Sequence, residues 1–173
     1  MNERIAALDV SYPLGGGALA AGVVFREWSD AQPVSEHQLQ IAEVSPYIPG
    51  AFYRRELPCL LALLEAIDQP LTAIVIDGYV WLSEKQRLGL GARLYEALGS
   101  TTPIIGVAKS LFRGSVFAAQ VQRGNSRLPL YITAAGIDTA QAVLLIQSMH
   151  GKHRLPTLLK RVDQLSKSGV QTP

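Results

Sequence analysis

Two unbroken apolar runs, LTAIVIDG (71–78) and TPIIGVAKS (102–110), each finish on a charged residue, Asp77 and Lys109. Runs of Ile, Val and Ala without alternation belong to strands covered on both faces, the pattern of a central parallel sheet. No other feature constrains the fold as much. In open sheets of this kind the chemistry sits just beyond the carboxyl ends of the strands. A carboxylate at one such end and an ammonium at its neighbour can face a common substrate, or simply pair as a strand-end salt bridge.

A chain of 173 residues suits one domain, 1–173, and is long enough for a full core. Apolar content of 48% with 17% charged residues describes a soluble globular protein. No apolar stretch approaches the roughly 20 residues that span a bilayer. The start, MNERIAALDV, lacks the basic-then-apolar layout of a signal peptide. Cys59 is alone, which excludes an intramolecular disulfide and a cysteine metal cage. The expected setting is the reducing cytoplasm, with no membrane partner. The net charge of +2 hides an asymmetry: residues 1–108 carry 7 Lys/Arg against 12 Asp/Glu, and residues 109–173 carry 9 against 2. A basic stretch facing clustered carboxylates suits a phosphodiester substrate with divalent metals.

Along the chain, RIAALDVSY (4–12), ALAAGVVFREW (18–28) and HQLQIAEVS (37–45) read as an antiparallel meander. Gly15–Gly17 suit its first turn; no GK[ST] follows, so a phosphate loop is disfavoured. LPCLLALLEAID (57–68) reads as a helix with Pro58 in its first turn. Ser83 and Gln86 have capping-box spacing and predict a helix from there to about Leu98. SVFAAQVQ and LPLYIT flank RGNSR as a hairpin. Asp138 and Gln141 predict a helix through about Met149, and a last helix covers roughly 156–167. The order β-β-β-α-β-α-β, then a hairpin and two helices, resembles the ribonuclease H-like fold, an α/β class with a mixed central sheet flanked by helices.

In that order of elements Asp9 lies beside Asp77. Two adjacent carboxylates stay ionised together only with a cation between them, and hard oxygen ligands select Mg²⁺ or Mn²⁺. Leu158, Leu159, Val162 and Leu165 mark the inward face of the last helix, which turns Asp163 towards the core side. An inward carboxylate needs a partner: Arg154 or Lys160 in a structural reading, a metal shared with Asp9 and Asp77 in a functional one. Glu56 is a fourth carboxylate, just before the first long helix.

PYIPGAFYRRE (46–56), IDG (76–78), GVAKS (106–110) and HRLP (153–156), with ALDVSY (7–12) and LPLYIT (128–133), resemble the endonuclease V family over nearly the whole chain. The resemblance implies a Mg²⁺-dependent nuclease that cuts the second phosphodiester 3′ to inosine, leaving 3′-hydroxyl and 5′-phosphate ends. It places Asp9, Glu56, Asp77 and Asp163 as metal-binding carboxylates, with Asp9, Glu56, Asp77 and Lys109 as the catalytic set. Pro46, Tyr47, Ile48 and Pro49 match the wedge that enters a duplex, and Gly50, Gly78 and Ser110 border the nucleic acid and its turned-out base. Two metals about 3.5–4 Å apart can activate water and stabilise the leaving oxygen, and Lys109 can neutralise charge on the phosphate. A proline-stiffened loop tipped with Tyr47 suits insertion between bases.

The chain departs from the family after Asp77-Gly78. DGYVWLSEKQRLGLG has no His-Pro-Arg, and Tyr79, Val80 and Trp81 are bulkier than the usual residues. AAG (134–136) replaces Pro-Gly-His, and the region after Gly114 is shorter. The expectation is a monomeric, metal-dependent endonuclease acting on DNA or RNA at deaminated adenine. The alternative is a catalytically silent nucleic-acid-binding protein on the same fold.

Overall fold

A computed structural model describes residues 2–113 and 117–169. The strands are β1 (Ile5–Ser11), β2 (Ala18–Phe25), β3 (Ser35–Ile41), β4 (Ala73–Asp77), β5 (Ile104–Ala108), β6 (Ala119–Val121) and β7 (Leu130–Ala135). The helices are α1 (Tyr53–Ile67), α2 (Leu90–Ala97), α3 (Thr139–Ser148) and α4 (Thr157–Lys167). One mixed sheet runs β3-β2-β1-β4-β5-β7-β6. β1 pairs parallel with β4, and β4 with β5, while the meander and the β6–β7 hairpin are antiparallel. This is the ribonuclease H-like arrangement. Residues 115 and 116 of the expected hairpin segment lie outside the described residues.

Strand parity sorts the core into two layers, because successive side chains point to opposite faces. Ile5 and Ala7 of β1, Ala73 and Val75 of β4, and Ile105 and Val107 of β5 pack with Ala142 and Ile146 of α3 and with Leu158, Leu159, Val162 and Leu165 of α4. Ala6, Leu8, Ile74, Ile76 and Ile104 face the other way, onto Cys59, Leu60, Leu63 and Ile67 of α1 and Leu94 of α2. Every residue of β2 is buried, as expected for a strand inside such a sandwich.

Two helix starts differ from the sequence reading. α1 begins at Tyr53, four residues before Leu57, so Pro58 is its sixth residue and Glu56 belongs to its first turn. Pro58 removes the N–H that would have bonded the Arg54 carbonyl; both residues are exposed, and solvent there limits the loss. α2 begins at Leu90 instead of Ser83. The 81–88 segment closes instead as a tight loop: the Leu82 N–H donates to the Arg87 carbonyl at 2.8 Å and the Gln86 N–H to the Ser83 carbonyl at 3.0 Å. Gln86 sits at φ +56°, outside helical space. Tertiary bonds override the capping box here, since Val80 N–H donates to Thr133 Oγ1 at 2.8 Å and Trp81 Nε1 to the Ala134 carbonyl at 2.8 Å. Asp138 does occupy the N-cap of α3, but its side chain makes no cap hydrogen bond.

Candidate active site

The register Leu8↔Ile76 between β1 and β4 sets Asp9 beside Asp77. Asp9 follows Ile5 and Ala7 in parity, Asp77 follows Ala73 and Val75, and Lys109 follows Ile105 and Val107. Three strand ends therefore present these side chains on the α4 side of the sheet, where Asp163 and Ser166 meet them. One carboxylate oxygen each from Asp9, Asp77 and Asp163 lie within 4.8 Å of one another. Lys109 Nζ stands 3.4 Å from both Asp77 Oδ2 and Asp163 Oδ1. Ser166 Oγ lies 2.9 Å from Asp9 Oδ2 and 2.9 Å from the Asp163 carbonyl.

Glu56 arrives from the opposite layer, on α1, and reaches the strand ends from the other side. It is not among the oxygens of the 4.8 Å group, yet it feels the charges of Asp9 and Asp77. Burial, then the charges of Asp9 and Asp77, push its carboxyl up to about 8. Asp9 is raised to about 6, by burial first and then by Asp77, against the bond from Ser166. Tyr12 is raised as well, by burial and then by Glu56. Asp163 behaves oppositely: burial alone would raise it, but Lys167 and Lys109 hold it below the usual range. Burial would lower Lys109, but Asp77 and Asp163 outweigh it and keep the ammonium charged.

This donor set fits a divalent cation. It consists of carboxylate oxygens, the hard ligands that suit Mg²⁺, Mn²⁺ or Ca²⁺. Asp9 and Glu56, its buried members, are pushed towards neutrality by burial and by repulsion from neighbouring carboxylates, and a cation among them relieves that repulsion.

Of the other expected residues, Tyr47, Gly50 and Gly78 line a cleft beside this cluster. Tyr47 and Ile48 are 59% and 42% exposed, and Tyr47 rests edge-on against Phe52 at 6.1 Å. A cleft of about 340 Å³ is lined by Tyr47, Gly50, Glu56, Asp77 and Gly78 among others. Gly50 and Gly78 have φ of +79° and +134°, backbone that favours glycine. The Ser110 side is closed by Tyr79, whose hydroxyl donates to the Ser110 carbonyl at 2.7 Å and accepts the Phe112 N–H at 3.2 Å. The structure does not bring Pro46, Ile48, Pro49 or Ser110 to the cleft wall.

Several neighbours escaped the sequence reading. The partners of Asp163 are Lys109 and Lys167, the latter at 2.9 and 3.1 Å; they are neither Arg154 nor Lys160. The spacing Asp163–Lys167 was the available signal, an i,i+4 pair on one helix. Arg154 instead donates through Nη2 to the carbonyls of Lys109 and Pro129. It thereby holds the backbone that carries the lysine. The basic excess after Lys109 is also divided, and does not face the carboxylates as one surface. Arg123 is buried on the carbonyls of Met149, Gly151 and His153, and Arg161 pairs with Glu36 at 2.6 and 2.7 Å. Arg113, Arg127, Lys152 and Lys160 remain exposed. Among the described residues, no helix is long and apolar enough to cross a membrane.

Known proteins share this architecture. The Endonuclease V family model matches residues 1–136. An endonuclease V of Azotobacter vinelandii is 29% identical over 94% of this chain and 81% of its own length. The crystal structure of the Streptomyces avermitilis endonuclease V superposes with a TM-score of 0.74 at 28% identity, covering 96% of this chain and 80% of that one. A Ciona intestinalis endonuclease V, crystallised with a DNA containing an inosine followed by a ribo-adenosine, has the same fold: TM-score 0.78, 17% identity, 96% and 84% coverage. With most of its length matched, and the carboxylates gathered at the strand ends, the chain belongs to the endonuclease V family.

Proposed function

We propose that this protein is a Mg²⁺- or Mn²⁺-dependent endonuclease that hydrolyses a phosphodiester 3′ to a deaminated base, inosine, in DNA or RNA. One observation carries the reading: Asp9, Asp77 and Asp163 converge within 4.8 Å beside a lysine charged at neutral pH. Asp9, Asp77 and Asp163, completed by Glu56 from the opposite layer, are the residues that would hold metal. A divalent cation bound there supplies Lewis acidity towards a phosphate oxygen and lowers the pKa of a water.

The chain's own groups do the rest. Lys109 is tied to Asp77 and Asp163 at 3.4 Å, and its Nζ would stabilise the transition-state charge on a phosphate beside those carboxylates. Arg154 keeps the Lys109 backbone in place. Tyr47 and Ile48 supply an apolar tip for separating bases, and the cleft between Gly50 and Gly78 receives the turned-out base. Chain 1–173 acts as one domain and one copy, since the cluster draws all its residues from a single sheet and its two helix layers.

The test is a panel of matched DNA and RNA oligonucleotides carrying inosine, uracil, a mismatch or no lesion, with Mg²⁺ or Mn²⁺. Metal-dependent nicking at inosine is the expected result. Absence of cleavage on every substrate refutes the reading, and binding without cleavage points to the silent alternative.

A further inference from the structure

Arg93, the fourth residue of α2, is a cation with no ion-pair partner among the described residues. Its guanidinium lies over the Tyr53 ring, 3.5 Å from the centroid. Its Nε is buried with no hydrogen-bond partner, and none of the ion pairs among the described residues includes it. That nitrogen is closed off against its surroundings, which leaves the two terminal nitrogens as the donors the guanidinium can offer. Arg93 also lines the cleft with Tyr47, Phe52, Tyr53, Glu56 and Asp77. The acids of that cleft belong to the carboxylate cluster and leave the guanidinium unpaired.

We propose that Arg93 is a specificity-determining residue that reads the turned-out base through two adjacent acceptors, the O6 and N7 atoms of a 6-oxopurine. The inference rests on the reading of this cleft as the base pocket. Stacking on Tyr53 fixes the plane of the guanidinium, and a planar fork of N–H donors matches O6 and N7 side by side. Hypoxanthine, xanthine and guanine offer that pair. Adenine sets an amino donor beside N7, donor against donor, and uracil has no N7. The aromatic walls accept any base by its face, so the fork is what discriminates.

The experiment measures dissociation constants in EDTA for fluorescent single-stranded oligonucleotides carrying one hypoxanthine, 7-deazahypoxanthine or adenine. Wild type, Arg93→Met and Arg93→Lys are compared. The wild type is expected to prefer hypoxanthine over adenine by about tenfold or more, and to lose most of that preference when N7 is removed. Both variants should bind all three oligonucleotides alike, Arg93→Lys included, because an ammonium keeps the charge but not the fork. A wild-type preference that survives in Arg93→Met overturns the inference and leaves the endonuclease reading intact. Equal weakening of every oligonucleotide assigns the guanidinium to phosphate and also overturns it. A wild type that fails to bind, or binds hypoxanthine and adenine equally, removes the base-pocket reading and the inference together.

Discussion

Glu56→Gln should stabilise the metal-free protein at alkaline pH. Glu56 is 6% exposed and its carboxyl is raised from 4.5 to about 8, so the folded state holds a proton there that the unfolded chain has lost. Stability from this group is fully present below pH 4.5, falls as pH rises, and is gone above about 8. Asp9, raised from 3.8 to about 6, adds to the decline only up to its own raised value. Between pH 6 and 8 the slope therefore belongs to Glu56, since Asp163 is shifted the other way and titrates in acid. A tenfold change in proton affinity between the folded and unfolded chain corresponds to about 1.4 kcal/mol, so the ionised Glu56 costs the metal-free fold roughly 3–5 kcal/mol at about pH 9. Urea denaturation in EDTA from about pH 5 to 9 measures it. Wild type should weaken steadily, and Glu56→Gln should flatten the curve above about pH 6. Added Mg²⁺ should restore the wild type at the alkaline end and help the variant less. A wild-type profile that is flat between the raised values of Asp9 and Glu56, or a variant curve parallel to it, refutes the electrostatic account of the cluster.

Asp9→Ala and Asp77→Ala should each abolish metal-dependent nicking without lowering metal-free stability at about pH 8, because each removes repulsion; activity surviving both, read on gels, would move the site elsewhere. Lys167→Ala removes an exposed i,i+4 partner of Asp163 and should change stability by no more than about 0.5 kcal/mol in urea titrations. Arg123→Met strips the carbonyls of Met149, Gly151 and His153 of their buried donor and should cost roughly 3 kcal/mol or more by the same measurement. Gly106→Ala would set a Cβ 2.5 Å from the Gly78 carbonyl and 2.9 Å from Thr133 Oγ1; a loss of about 1–3 kcal/mol with weakened binding of inosine oligonucleotides is expected.

The sheet and half of the site were legible because both follow from a local period. Alternation along a strand assigns Asp9, Asp77 and Lys109 to one face once their strands are placed side by side, and the unbroken apolar runs place them. The inward stripe of α4 puts Asp163 over the same strand ends by the same argument. The segment 79–89 was not legible. Its capping-box spacing is a real local preference, but Thr133 and Ala134, some fifty residues on, bond Val80 and Trp81 and draw the chain into a loop.

What the amino-acid order alone determined is which side chains share a face: the strand ends, their charges, and the motifs that align with endonuclease V. Tertiary packing decided the rest. It brought Glu56 from the opposite helix layer into the field of Asp9 and Asp77, matched Asp163 with Lys109 and Lys167 in place of Arg154 or Lys160, and left Arg93 stacked on Tyr53 with no ion-pair partner among the described residues. Periodicity acts within an element and can be read along the chain. Distances between layers, and the desolvation that shifts Asp9 and Glu56, exist only once the helices have closed over both faces of the sheet.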